Sequence, residues 1–250
     1  MKGFLSAVAF LTRVPVVGGH RDPARAVPWF PVVGSLIGLF VAGVYALVYD
    51  VGPSPLAATL AVVAGMVLTG GFHEDGLADS MDAIGSGARG EQALEIMKDS
   101  RLGTFGTLAV VVTVVWRILA VAALSPLTAI SGLVMAHTLG RAGAVVLMST
   151  TPPAKAEGLG VLGVPSGGAW FAAGSGAVLA TLAGGWWVVP GVGLVAAAAA
   201  WLRGVSRKRF GGITGDILGA CEQLGEMLIL TLVVGLTWND FDPWWLDLLQ

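Results

Sequence analysis

The chain has 250 residues, 55% hydrophobic and 12% charged, with a formal net charge of −2 and a single cysteine. A soluble domain carries about 25% charged residues, so this chain cannot cover a globular surface with polar groups and reads as an integral membrane protein in contact with a lipid bilayer. Its near-neutral charge and scattered bases exclude a nucleic-acid partner, and the lone Cys221 excludes an intramolecular disulfide or a cysteine metal centre.

At the amino terminus an apolar stretch follows Lys2, but Arg13 and Pro15 interrupt it too early for a signal peptide. Gly3 to Val17 is read instead as an interfacial helix. Charge-free windows then mark the membrane spans, because an ionised side chain at the bilayer centre is costly. They are Pro28 to Tyr49, Leu56 to Phe72, Thr104 to Leu124, Leu127 to Met148, Gly168 to Trp186, Val188 to Leu202 and Ile217 to Thr237. Tight turns are expected at Gly52-Pro53-Ser54-Pro55, at Ser125-Pro126 and near Pro190-Gly191. The expected fold is all-α, a polytopic membrane helix bundle of about seven transmembrane helices forming one domain over residues 1–250. Its parts are an interfacial segment 1–27, an acidic cytoplasmic loop 73–103 and a basic, Gly-rich cytoplasmic loop 203–216.

Threaded alternately, these spans place Lys2, Arg13, Arg21, Arg25, Arg89, Lys98, Arg101, Lys155, Arg203, Arg207, Lys208 and Arg209 on one side, which the positive-inside rule makes the cytoplasm. Trp186, Trp187, Trp238, Trp244 and Trp245 gather at the other boundary, with the acidic tail Asp240 to Gln250. Gly34-x-x-x-Gly38 and Gly215-x-x-x-Gly219 are read as helix-packing contacts, and Cys221 as a small packing residue.

Charge is concentrated in one place. Of the 16 acidic residues, seven lie between Glu74 and Asp99, whereas Gly158 to Leu202 has no charged side chain. In His73-Glu74-Asp75-Gly76-Leu77-Ala78-Asp79-Ser80-Met81-Asp82-Ala83, Asp75, Asp79 and Asp82 follow i, i+4, i+7 spacing and share one helix face, with Glu74 on its flank. Such carboxylates repel unless a cation sits among them, and a solvated loop would mix signs, yet His73 to Ala88 holds no Lys or Arg. Oxygen ligands alone point to Mg²⁺, held by Glu74, Asp75, Asp79 and Asp82 and bridging to substrate phosphates. His73 reads equally as a hydrogen-bonded boundary histidine or as a base, and His20 and His137 have no ligand-like company.

Two basic turns could meet phosphate oxygens. The first is Glu95-Ile96-Met97-Lys98-Asp99-Ser100-Arg101-Leu102-Gly103, where Lys98 and Arg101 flank a helix start and Asp99 either joins the site or pairs with Arg101. The second is Arg207-Lys208-Arg209-Phe210-Gly211-Gly212-Ile213-Thr214-Gly215-Asp216, with Arg209, Thr214 and Asp216 as substrate-binding candidates and a helix cap as the ordinary role of Asp216. It lacks the residue order of a Walker A loop. Glu222 and Glu226 lie inside a span and need Arg117 or Arg141 as counter-charges; Glu222 and Arg141 are placed at the site.

These motifs, with Phe10-Leu11-Thr12-Arg13-Val14-Pro15, Trp29-Phe30-Pro31-Val32-Val33-Gly34 and Gly211-Gly212-Ile213-Thr214-Gly215-Asp216-Ile217-Leu218-Gly219-Ala220, resemble the cobalamin synthase (adenosylcobinamide-GDP ribazoletransferase) family over nearly the whole chain. Ser80 and Met81 stand where that family more often has Thr and Ala, and Ala83 where Gly is common, changes that spare every carboxylate. The resemblance implies Mg²⁺-dependent joining of adenosylcobinamide-GDP to α-ribazole, or its 5′-phosphate, with release of GMP in the cytoplasmic membrane of a bacterium or archaeon. In that reaction Asp82, or His73 in its place, accepts the hydroxyl proton, and Lys98, Arg101 and Arg209 stabilise phosphoryl oxygens. A homo-oligomer is compatible with the sequence. A CDP-alcohol phosphotransferase shares Asp75-Gly-Leu-Ala but has Arg where Asp79 stands, and a cation-coupled transporter using Glu222, Glu226 and Asp79 is the alternative of a different class.

Overall fold

The computed structural model describes residues 2–16, 23–99, 101–155, 164–165, 167–241 and 243. Among these the chain is helical: α1 (Lys2–Leu11), α2 (Pro23–Ala26), α3 (Phe30–Tyr49), α4 (Ser54–Thr69), α5 (Phe72–Gly85), α6 (Gly90–Ile96), α7 (Thr104–Ala122), α8 (Pro126–Thr150), α9 (Gly168–Gly184), α10 (Val188–Phe210) and α11 (Gly215–Trp238). A parallel bridge joins Pro153 to Ile213.

Five helical runs are long and apolar enough to cross a membrane, and six if α4 and α5, bent by 88°, form one broken span. One of the five is the 43-residue run Gly168–Phe210, and its neighbours show that it crosses twice. Gly176 faces Ala142 and Gly184 faces Met135, so α9 runs antiparallel to α8; Gly191 meets Leu139 and Gly143 meets Val195, so α10 runs parallel to it. The chain therefore reverses through the 3₁₀ turn Gly185–Trp187, where Gly185 takes φ 60°, ψ −129°, a backbone region open essentially to glycine. The expected turn at Pro190-Gly191 is displaced: Pro190 stands in the first turn of α10, where no intrahelical N–H is lost. With this reversal the expected seven crossings are α3, the broken α4–α5 pair, α7, α8, α9, α10 and α11.

The span windows end within a few residues of the observed helices except the sixth, whose helix runs eight residues beyond Leu202 to Phe210, and three segment expectations change. Residues 73–85 and 90–96 of the acidic segment 73–103 are helix. The basic segment 203–216 is helix through Phe210, and its turn is confined to residues 211–214. The interfacial helix stops at Leu11 instead of Val17; the Arg13 N–H turns away to the Leu68 carbonyl at 2.7 Å. Trp186 is half exposed and Trp238 largely exposed at one end of the bundle, and Trp186 meets Phe241 edge-on at 5.9 Å. Trp187, expected beside them, is fully buried. Arg21, His20, Ser100, Trp244 and Trp245 lie outside the described residues.

α8 is the central post, with 89% of its apolar window buried. Membrane helices gain little from apolar burial against each other, so close backbone approach decides their pairing. Gly38 lets α3 lie against Leu133 and Val134, where an added Cβ would stand 2.7 Å from the Leu133 carbonyl oxygen. Gly34 does the same at His137 and Arg141. α8 and α11 cross glycine to glycine: a Cβ at Gly225 would lie 2.8 Å from the Gly140 Cα. Gly225→Ala is expected to destabilise the protein by about 1–3 kcal/mol through overpacking. Gly235→Ala, with open space around the new Cβ, should be neutral or stabilising by about 0.5–1 kcal/mol; unfolding in detergent compares the two.

Candidate active site around the acid helix

The elbow that aims α5 consists of Gly70 and Gly71, both left-handed at φ 73° and φ 68°. At 100° per residue, His73 faces the bundle interior, Glu74 lies on the flank, and Asp75, Asp79 and Asp82 face the other way. Burial follows this division: His73 and Glu74 are buried, Asp75 is exposed, and Asp79 and Asp82 are half-buried. The four expected metal-ligating acids thus separate into two groups.

Glu74 belongs to a buried ladder of alternating charge. Arg117 donates to Glu74 at 2.9 Å and to Glu226 at 3.0 Å. Arg141 meets Glu226 at 3.3 Å and Glu222 at 2.5 Å, and donates to the His137 carbonyl at 3.0 Å. His137 Nδ1 also pairs with Glu226, His73 Nδ1 stands 3.8 Å from Glu222, and Gln223 donates to Glu222 at 3.0 Å. Every carboxylate and guanidinium here is at most 7% exposed. The ladder ties α5, α7, α8 and α11 together. Arg117 and Arg141 both belong to it, whereas the sequence had set only Arg141 at the site. A cavity of about 20 Å³ beside Thr69, Glu74 and Arg117, walled on its other side by Val41, Val62 and Leu133, has room for about one water.

His137 thus has the company that its sequence surroundings lacked: its ring, Glu222 and Glu226 offer ligand atoms within 4.8 Å of one another. Two guanidiniums already occupy those carboxylates, and their charge opposes a metal ion there. The same pairing removes Glu222 and Glu226 from a transporter's cation path.

On the other face of α5, the charges of Asp75, Asp82 and Asp216 act on Asp79, and that of Asp75 acts on Asp216. Glycines create this meeting: a Cβ at Gly76 would lie 3.0 Å from the Asp216 carbonyl oxygen, and one at Gly219 3.2 Å from that of His73. Gly219, the second glycine of Gly215-x-x-x-Gly219, and Gly76 opposite it are therefore contacts that bring the last span against the acid helix. Asp82 also holds backbone: its oxygens accept the Gly103 N–H at 2.7 Å and the Gly106 N–H at 2.8 Å. It anchors the first turn of α7, and His73 lies on the opposite face of α5 from the aspartates. Asp75, Asp79 and Asp216 have no ion pair with a base among the described residues.

The basic candidates divide in the same way. Arg101 grips Asp99 through three side-chain contacts, at 3.0, 3.1 and 2.6 Å; this hydrogen bonding holds the Asp99 carboxyl down at about 2. Lys98 is exposed just beyond α6. Arg209 donates to the Gly87 and Ala88 carbonyls at 2.8 and 3.3 Å, fastening α10 to the end of the acid helix. Thr214, not Asp216, caps α11, accepting the Ile217 N–H at 3.3 Å. Lys155 is a base that the sequence reading passed over. The bridge made by Ala154 N–H to Ile213 O, 2.9 Å, and Ile213 N–H to Pro152 O, 2.8 Å, carries it to where its charge acts on Asp216. Its only sequence signal was membership of the basic side.

Arg117→Met, which strands Glu74 in the bundle and leaves Glu226 to Arg141 and His137, is expected to cost about 3–5 kcal/mol in detergent unfolding. Asp82→Ala removes two charge-assisted hydrogen bonds at a helix start, a loss of about 1–2 kcal/mol. Hydrogen exchange at the Gly103 and Gly106 amides should accelerate accordingly, whereas unchanged protection would remove the anchoring role.

A family model described as cobalamin-5-phosphate synthase matches residues 3–234. A Bradyrhizobium diazoefficiens protein named adenosylcobinamide-GDP ribazoletransferase is 41% identical over 236 residues, covering 90% of each chain. Proteins of the same name from Shewanella amazonensis and Ralstonia nicotianae are each 38% identical, over 94% and 92% of this chain and 95% and 94% of their own. No solved structure matches. The acid helix, the basic turns and the seven-span frame thus sit in a chain whose length is covered almost end to end by these relatives, and the chain belongs to the cobalamin-5-phosphate synthase family.

Proposed function

We propose that this membrane enzyme is an adenosylcobinamide-GDP ribazoletransferase, joining the GDP-activated corrinoid to α-ribazole or its 5′-phosphate and releasing GMP. The observation that carries the reading is the meeting of Asp75 and Asp79 on α5 with Asp216 on α11, at the end of the bundle where the basic turns gather. Near-full-length identity to proteins of that name supports the substrate pair.

These three aspartates suit Mg²⁺, an ion that keeps several waters and takes one or two protein carboxylates together with substrate phosphates. They offer only oxygen, repel one another, and are less tightly gathered than the buried His137 triad. When bound there, the ion would neutralise charge on the diphosphate. The chain's own groups do the rest. Lys98 and Lys155 stand free of ion pairs among the described residues and would meet phosphoryl oxygens, and Arg209 has donors left beyond those given to Gly87 and Ala88. The ribazole hydroxyl forms its bond to the corrinoid-side phosphorus as the bond to the GMP oxygen breaks. Its proton passes to an aspartate of this set, since Asp82 is engaged with amides. The end of the bundle bearing these groups would face the cytoplasm, where the nucleotide substrate is available.

Purified enzyme supplied with adenosylcobinamide-GDP and α-ribazole should release GMP and form the joined corrinoid only with Mg²⁺ present, while CDP-alcohols supplied in parallel should not turn over. Asp79→Asn should lower the rate by at least about a hundredfold with membrane insertion and unfolding behaviour retained. Near-normal Mg²⁺-dependent GMP release by that variant would sink the metal assignment, and turnover of CDP-alcohols alone would overturn the substrate class.

A further inference from the structure

A cavity away from the acid helix lies in a groove of about 460 Å³ between α8 and α10. That volume falls in the range of small-molecule sites, roughly 300–1,000 Å³, whereas the two cavities next to the charge ladder measure only about 20 and 30 Å³. Val146 and Leu147 form one wall; Ala196, Ala199, Ala200 and Gly204 keep the other shallow. The groove opens on the outer surface of two spans, so in a membrane it faces lipid. At one end stand Arg203 and Arg207, four residues apart on α10 and both exposed. Like charges at that spacing repel by a few tenths of a kcal/mol, and neither has an ion pair with a described residue. Trp201, two residues before them, is 54% exposed, as suits an indole at the level of the headgroups. An apolar trough ending in two unmatched cations at that level is complementary to a lipid with an apolar tail and a negative headgroup.

We propose that this groove binds one anionic phospholipid, its acyl chain lying along Ala196, Ala199, Ala200 and Gly204 and its phosphate on Arg203 and Arg207. A zwitterionic lipid fits the trough equally but leaves the two arginines only a phosphate whose charge its own amine offsets. A second copy of the chain would fill the trough but needs an acid opposite the arginines. The groove is separate from the acid helix, and neither Arg203 nor Arg207 is among the groups placed on the substrate's phosphates, which are Lys98, Lys155 and Arg209.

The test is native mass spectrometry of protein purified from nanodiscs containing equal phosphatidylglycerol and phosphatidylcholine. Wild-type chain should retain one phosphatidylglycerol in preference to phosphatidylcholine. The double variant Arg203→Gln, Arg207→Gln should lose roughly thirtyfold in retention, taking each surface cation at its usual worth beside anionic lipid. Ala200→Trp fills the trough but keeps both arginines, and it should weaken retention as well. Equal retention of both lipids by the wild-type chain overturns the proposal, and that arm needs no variant to fold. A dimer carrying no lipid overturns it too, and full retention by Ala200→Trp would reduce the effect to surface charge without a seat.

Discussion

Two arginines and three glutamates, buried where water cannot screen them, constrain everything else in this bundle. Ordered as Glu74, Arg117, Glu226, Arg141 and Glu222, they form a ladder whose rungs come from four different helices. Taking such groups out of water costs several kcal/mol per ion, so net stabilisation is a weak reason for their presence. Their value here is registry. A glutamate on α11 finds its arginine only if α7 and α8 stand at one height, and Glu74 finds its own only if the elbow before α5 is correctly turned.

That registry explains why one short motif serves two purposes. Neighbours in sequence, Glu74 and Asp75, lie on different faces of α5; one closes the ladder and the other faces out with Asp79. Asp82, one turn beyond, holds the first amides of α7, so both ends of the acid helix are fixed to the same partner, through Arg117 at one end and through backbone at the other. Between these attachments Gly76 and Gly219 bring α11 near enough to add Asp216. The site is thus assembled from a first broken span and a last one by contacts that leave no room for a side chain.

Much of this was legible in the sequence because membrane segments are constrained by composition. Windows free of charge located α3, α7, α8 and α11 to within a few residues, and the 3.6-residue period placed Asp75, Asp79 and Asp82 on one face. The division of the acids was not legible. Spacing along α5 says nothing of which arginine, 43 residues later, reaches Glu74, or that glycine amides at 103 and 106 would claim Asp82. His137 looked solitary because its partners Glu222 and Glu226 lie on a helix about 85 residues away. Lys155 was hidden for the same reason: a bridge between two irregular segments, set by Gly212 lying against Pro152 and Pro153, has no periodic signature. The turn between α9 and α10 was misplaced because Pro190 reads as a breaker, although proline is at ease in a first helical turn.

The glycine elbow makes the acid helix a lever. Its fulcrum is clamped: Arg13 packs over Gly70 and bonds through its own amide to Leu68. Its inner arm ends in the charge ladder, and its outer arm carries the aspartates, with Asp82 eight residues and about 12 Å from Glu74 along the axis. Because Asp82 pins the far end to α7, the height of the carboxylates between is set by these two attachments. The precision of a site open to large polar substrates is inherited from ion pairs that never meet water, and from an N-terminal segment that touches none of the chemistry.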